Sequence, residues 1–146
     1  MELEQIVQML LPVVRDVIGG MLMMSDSSLI GGVREAGAIG KYLTTASQEM
    51  ADNPVIAGLV DGLIGEDGKV IVPDMDNVDV TNLFTNVGSA AGVLDSFEGG
   101  LQVKEFIYGM AEHIAGASGG GLFGGGQKIS AGEQQFLDGL RAMLGL

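Results

Sequence analysis

The chain of 146 residues has no cysteine and no tryptophan, one histidine, three prolines and only seven basic residues. Without cysteine it forms no disulfide, no thiolate metal site and no cysteine nucleophile. One histidine does not supply the usual zinc or iron ligand sets. Seven lysines and arginines stand against 19 acids. This balance argues against nucleic-acid binding, because that affinity comes from cationic side chains that displace counterions from phosphates.

The sequence shows neither the features of a secretory signal nor those of a conventional membrane-spanning helix. Residues Met1 to Gln5 carry acids where a signal peptide needs a basic start. We therefore predict no cleavable signal, and a location in the cytoplasm or within an assembled particle. No run of 18 apolar residues occurs, because Arg15, Asp16 and Asp26 interrupt the apolar N-terminal third. Membrane contact stays open only as burial of one apolar helix face in lipid.

Apolar residues and glycine are abundant. Hydrophobic residues make up 47% of the chain and glycines number 25, while the formal net charge is −12. Disordered segments combine high charge with low hydrophobicity, so this combination predicts a folded core. The length is that of one domain, which we place at residues 1–146 with a flexible glycine-rich loop at 116–126.

Hydrophobic periodicity predicts an all-α fold, or nearly so, in the form of a compact bundle of about six helices. The first helix, Leu3 to Met24, is apolar over most of its circumference and should be buried on several sides. Pro12 should kink it or mark a break. A short extended or turn segment is predicted near 65–73, where Asp-Gly precedes Val-Ile-Val. The other helices are predicted at about 26–50, 54–64, 80–97, 101–115 and 130–144.

Small residues and methionines form the candidate interaction faces. Small residues four apart on the second predicted helix form a flat strip on which another helix backbone can pack, within one chain or between copies. Methionines supply adaptable packing, either for a core or for a partner groove. An apolar pair in the middle of the glycine-rich loop can insert into a neighbour. The residues concerned are Gly32, Ala36 and Gly40 in the strip, the methionines Met21 and Met24, and the pair Leu122 and Phe123.

Acidic residues concentrate between Asp61 and Asp79, where Lys69 is the one basic residue. Hard cations such as Ca²⁺ take several carboxylate and carbonyl oxygens, so this cluster can hold a divalent cation. The alternative is a solvated acidic loop whose charges interact favourably with the N-termini of helices.

Two segments of the sequence echo each other. Asp67 to Asp74 reads Asp-Gly-Lys-Val-Ile-Val-Pro-Asp, and Gly126 to Glu133 reads Gly-Gln-Lys-Ile-Ser-Ala-Gly-Glu. In both, Lys and then Val or Ile follow the start, and an acid ends the segment. The spacing resembles the second half of an EF-hand. An intact EF-hand is excluded, because the earlier ligand positions of the first copy are Leu63 and Gly65.

These segments, Asp67-Gly68-Lys69-Val70 and residues 128–137, are similar to the repeated turn-helix signature of the TerB-like tellurite-resistance family. The resemblance implies a helical protein with an acidic, metal-associated surface that acts in stress responses. It implies Asp67, Asp74 and Glu133 as ligands of Ca²⁺ or another divalent cation. The sequence departs from the family pattern at Gly126, where an aspartate is usual, and at Asp74, where a glutamate is usual.

The function these features favour is that of a non-catalytic helical interaction or assembly subunit. It would pack through its Gly-, Ala- and Met-rich helix faces against copies of itself or a protein partner, in a virion, a filament or a membrane-adjacent complex. The glycine run at 119–126 lacks the Gly-Lys-Ser/Thr end of a phosphate-binding P-loop. Two alternatives stay open: a TerB-like acidic protein that binds a divalent cation, and a peripheral membrane protein attached through its N-terminal helix.

The TerB-like resemblance predicts that Ca²⁺ titrated into the purified chain produces saturable heat in a calorimeter. Asp67→Ala and Asp74→Ala should each remove that heat, because each variant deletes a predicted ligand. A wild-type chain that gives no heat would contradict the divalent-cation hypothesis.

Overall fold

Six α-helices make up the described structure, which confirms the all-α bundle. This computed structural model describes residues 2–24, 29–71, 73, 75–118 and 131–146, with the backbone alone at 29–36, 75, 117 and 118. A 3₁₀ turn at Met75–Asn77 precedes the fourth helix. In chain order the helices are α1 (Leu3–Met24), α2 (Leu29–Glu49), α3 (Pro54–Leu63), α4 (Leu83–Leu94), α5 (Gly100–Ser118) and α6 (Ala131–Leu144).

α1 is the central helix. It packs against α3, α4, α5 and α6, and its side chains Leu10, Val14 and Ile18 are completely buried. This burial on several sides agrees with the prediction for a helix whose polar residues form only a narrow stripe. A fully buried Val, Leu or Ile side chain contributes about 1.5–3 kcal/mol to stability, so α1 supplies several such increments.

Pro12 lies inside α1, and the helix continues through it, so the helix does not break at this residue. Proline lacks the N–H group that would bond to the carbonyl oxygen of Gln8 one turn earlier. Both Pro12 and Gln8 are exposed. Water can therefore bond to the free carbonyl, and the helix continues.

The contact between α2 and α5 depends on Tyr42. Its ring stacks on Phe106 with centroids 5.6 Å apart, and its hydroxyl donates a hydrogen bond to the backbone oxygen of Phe106 at 2.9 Å. Gly109 lies beside the same hydroxyl, because a Cβ there would come within 2.5 Å of the Tyr42 oxygen. A glycine at 109 therefore lets the tyrosine of α2 reach the backbone of α5.

Asn53 determines where α3 begins. Its side-chain oxygen accepts hydrogen bonds from the backbone N–H groups of Val55 and Ile56 at 3.2 and 3.3 Å, and Pro54 is the first helical residue, as predicted. The Asn53 amide also donates to the backbone oxygen of Gly99 at 3.1 Å. One buried side chain thus caps α3, an interaction worth about 1 kcal/mol, and joins it to the turn before α5.

The connection between α4 and α5 differs from the prediction. The sequence pattern placed a helix from about 80 to 97, whereas α4 runs from Leu83 to Leu94 and Gly100 already belongs to α5. Gly99 has a φ of +88°, a left-handed conformation that glycine adopts at little cost. Gly100 is buried, and a Cβ there would overlap the backbone carbonyl oxygen of Leu94. The two glycines therefore form a close turn rather than a helix end.

The segment predicted near 65–73 is a turn. Ile64 and Val70 form an isolated antiparallel bridge, and Gly68 between them has a φ of +76°. In the ranges given above, no strand or sheet accompanies this bridge. Val72, the end of the predicted extended run, lies outside the described residues.

Buried side chains from all six helices form one hydrophobic core, in which Leu59 of α3, Phe106 of α5 and Leu140 of α6 are completely buried. The predicted loop at 116–126 overlaps the end of α5, because that helix continues to Ser118. The remainder of the predicted loop lies outside the described residues.

Gly100→Ala should destabilise the protein by about 1–3 kcal/mol, because the new Cβ forces the Leu94 carbonyl aside. Gly92→Ala is the matched control. Gly92 is exposed on α4 with no atom within 4 Å of a Cβ, so alanine there should stabilise by about 0.5–1 kcal/mol. Urea unfolding monitored by circular dichroism measures both variants, and equal midpoints would contradict the close approach.

Candidate functional site

A groove of about 600 Å³, which we name the α5–α6 groove, lies between α5 and the end of α6. Leu101 in this groove is 62% exposed, the highest value among the large exposed hydrophobic side chains of the described residues. Exposed apolar and aromatic side chains in a concave surface are typical of sites that bind other molecules. The groove is lined by Leu101, Glu105, Tyr108, Glu112, Arg141, Gly145 and Leu146.

Helical spacing places the α5 side chains of this groove on one face. Leu101, Glu105, Tyr108 and Glu112 follow one another at intervals of four, three and four residues, so they lie one above the other. The opposite face of α5, which includes Phe106, is in the core. The sequence pattern predicted a helix at 101–115, but this exposed series was missed, although its spacing is visible in the sequence.

Tyr108 is the central polar group of the α5–α6 groove. The guanidinium carbon of Arg141 lies 6.0 Å from the Tyr108 ring centroid, the range of a cation–π contact. Burial raises the pKa of Tyr108, and the charge of Glu112 raises it further, whereas Arg141 lowers it. The phenol is therefore neutral near pH 7 and can donate a hydrogen bond to a molecule in the groove.

Two of the predicted interaction residues contact the chain itself. Met21 is completely buried in the core. Gly40 faces the turn that follows α3, since a Cβ there would lie 3.5 Å from Cγ2 of Val70. Met21 and Gly40 thus pack within the chain. Helical periodicity indicates that a face is buried and not which surface covers it.

The other predicted interaction residues have different positions. Met24 is 43% exposed at the end of α1. Gly32 and Ala36 lie on α2, as predicted, but their side chains are outside the described residues. Leu122 and Phe123 lie wholly outside them.

The predicted metal ligands occupy dissimilar environments. Asp67 is exposed, and its Oδ1 accepts a hydrogen bond from the backbone N–H of Lys69 at 3.0 Å. Glu133, in the first turn of α6, is only 3% exposed. Asp74 lies outside the described residues. Within the described ranges no three His, Asp or Glu side chains group closely enough to hold a metal ion, so the cation site stays a prediction.

His113 takes part in the packing of α2 on α5. Its Nδ1 lies 3.1 Å from the backbone oxygen of Gly109, and its ring centroid lies 4.7 Å from that of Tyr42. These contacts hold the imidazole ring of His113 between α2 and α5, which gives the residue a role in helix packing.

α1 has the length and composition of a membrane-spanning helix. Its most apolar 18-residue window has a mean hydropathy of 1.6, although Arg15 and Asp16 fall within the helix. Half of that window is buried inside the bundle, as in the core helix of a soluble protein. The buried half of the window could contact lipid only if α1 left the helices that it packs against.

No known protein family, curated protein or solved structure matches the chain. The TerB-like resemblance therefore depends on the residues of its two short segments.

Tyr42 predicts an alkaline limit to the stability of the fold. Burial raises the pKa of Tyr42 from 10.0 to about 12, and the charge of Glu112 adds to this effect. The folded-state pKa is the higher one, so folding binds the phenolic proton more tightly. The resulting stabilisation is complete below pH 10 and is lost as the pH rises towards 12.

The melting temperature, followed by circular dichroism, should therefore fall between pH 10 and 12, and Tyr42→Phe should make that fall shallower. Tyr108→Phe is the companion variant, because the chain has two tyrosines and this change leaves Tyr42 alone to titrate. A tyrosinate absorbance change centred near pH 10 in folded Tyr108→Phe would contradict the raised pKa.

Proposed function

We propose that this chain is a non-catalytic helical interaction and assembly subunit, and that copies of it meet through the α5–α6 groove. The observation that carries the proposal is the exposure of Leu101, at 62%, beside Tyr108. All six helices already contribute buried side chains to one core, so this leucine is apolar surface that the monomer leaves uncovered. Covering a Leu side chain contributes about 1.5–3 kcal/mol, which favours association.

The charges around the groove favour a second copy as the partner. The groove that contains Leu101 is lined by two acids, Glu105 and Glu112, and by the cation Arg141. The same surface therefore carries charges of both signs. A two-fold contact uses one patch twice, and it can set Arg141 of each copy against the glutamates of the other. Tyrosine and arginine are the residue types enriched at the energetic centres of such interfaces.

The net charge of each copy opposes this association. Each chain carries −12, so two copies repel each other at long range. Salt shortens the range of that repulsion to about 8 Å at physiological ionic strength and to about 3 Å at 1 M. Salt also weakens the attraction between Arg141 and the glutamates, but burial of Leu101 is unaffected and the charge of −12 on each copy is the larger effect. We therefore expect weak association that strengthens as salt is added.

Size-exclusion chromatography with light scattering tests the proposal. The mass of the wild-type chain should exceed 15.0 kDa and increase between about 10 µM and 1 mM protein, more steeply at high salt. Leu101→Glu should restore the monomer, because it places a carboxylate in the contact. Val80→Glu is the matched control, since Val80 is a 41% exposed apolar residue that does not line the groove. A wild-type mass of 15.0 kDa at every concentration and salt would refute the assembly function.

A further inference from the structure

A second groove lies between α1 and the segment that leads into α4, and we name it the α1 groove. Its volume is about 440 Å³, within the range of about 300–1,000 Å³ that small-molecule sites occupy. It combines apolar side chains with one cation and one carboxylate. The residues that line it are Pro12, Arg15, Asp16, Ile71, Pro73, Asn77 and Val78.

Arg15 is the group in this groove whose hydrogen bonding the described residues leave incomplete. A guanidinium has five N–H donors, and Arg15 uses one of its nitrogens, Nη2, to donate to the backbone oxygen of Gly62 at 3.2 Å. Its Nε is buried and has no hydrogen-bond partner. Among the residues that the structure describes, the ion pair is Lys104 with Asp95, and no described carboxylate pairs with Arg15.

Asp16, the neighbour of Arg15 on α1, supplies the opposite charge. Its Oδ1 accepts a hydrogen bond from the backbone N–H of Asp79 at 3.4 Å. Burial raises the pKa of Asp16, the Asp79 N–H lowers it, and the charge of the Asp79 carboxylate raises it again. A cation placed beside Asp16 would favour its charged form, because it would offset the repulsion from Asp79.

The combination of groups selects the ligand. A carboxylate is the preferred partner of a guanidinium with free donors. A simple anion would also be repelled by the carboxylates of Asp16 and Asp79, and a simple cation would be repelled by the guanidinium of Arg15. A zwitterion satisfies both signs, and its side chain can pack on Ile71 and Val78. We propose that the α1 groove binds a free α-amino acid with an apolar side chain, its carboxylate on Arg15 and its ammonium group on Asp16.

L-Leucine is the probe for this site, and its affinity is measured by nuclear magnetic resonance titration of the isotope-labelled full chain. Saturable shifts should concentrate at the amides of residues 13–16 and 76–79, since Pro12 has no N–H group. Two compounds that each lack one charged group serve as comparisons: 4-methylpentanoate lacks the ammonium group, and 3-methylbutylamine lacks the carboxylate. Each should bind at least about tenfold more weakly than L-leucine, because each loses one charged contact.

Variants separate the two contacts. Arg15→Gln should weaken the binding of L-leucine at least about tenfold and should not weaken the binding of 3-methylbutylamine. Asp16→Asn should weaken the binding of L-leucine, because the partner of its ammonium group is lost. The same change should tighten the binding of 4-methylpentanoate, because the carboxylate that repels it is removed. If either substitution only disturbed the structure, it would weaken the binding of all three compounds alike. Lys41→Gln is the control for loss of a positive charge, since Lys41 is exposed on α2 and outside the groove.

Two results would overturn the proposal: no saturable shift with L-leucine at about 10 mM, or 4-methylpentanoate binding as tightly as L-leucine. If Arg15→Gln does not fold, as judged by circular dichroism, the comparison of the three compounds on the wild-type chain decides the outcome. The proposal does not rest on the assembly function. Leu101→Glu should leave L-leucine binding unchanged, so failure of one proposal is distinguishable from failure of the other.

Discussion

α1 packs against four other helices, and the arrangement of the bundle follows from how closely they approach it. The contact with α3 depends on two glycines. A Cβ at Gly58 would lie 2.8 Å from Cγ2 of Val7, and a Cβ at Gly62 would lie 2.6 Å from Cδ2 of Leu11. Larger residues would push α3 away from the central helix, because packed interiors have little free volume. With α1 surrounded in this way, α2 makes its main contact with α5, where Tyr42 bonds to the Phe106 backbone.

Three of the seven cationic side chains of this acidic chain have defined contacts. Lys104 is buried and pairs with the exposed carboxylate of Asp95, Arg141 lies over the ring of Tyr108, and Arg15 bonds to the backbone of Gly62. In a chain with a net charge of −12, most of the surface repels anions. Arg15 and Arg141 therefore mark the two grooves where we propose that a carboxylate binds, from a small molecule in one and from another copy of the chain in the other.

The two grooves differ in the kind of molecule that they suit. The α5–α6 groove presents an exposed leucine, a tyrosine and charges of both signs, which is the composition of a contact between proteins. The α1 groove is smaller, and its main feature is the incompletely bonded guanidinium of Arg15. Beyond its bond to Gly62, the guanidinium has further N–H donors that can bond to a ligand carboxylate, and hydrogen bonds between two charged groups are the strong ones. The two sites share no lining residue and can act independently.

Local sequence patterns were sufficient for the number and type of elements and for the start of α3. Periodicity, Pro54 in the first turn of α3 and the turn glycine Gly68 each act within about one helical turn, so neighbouring residues specify them. The same patterns predicted too long an α4, because the turn after Leu94 depends on the contact of Gly100 with the backbone across it. They also left open whether Met21 belongs to a core or to an interface. Neither groove was predicted: Leu101 is exposed because of how α6 packs beside α5, and Arg15 lies in a groove because the segment before α4 crosses α1. Contacts between residues distant in the chain decided these features, since a single helix specifies which of its faces is apolar but not what covers it.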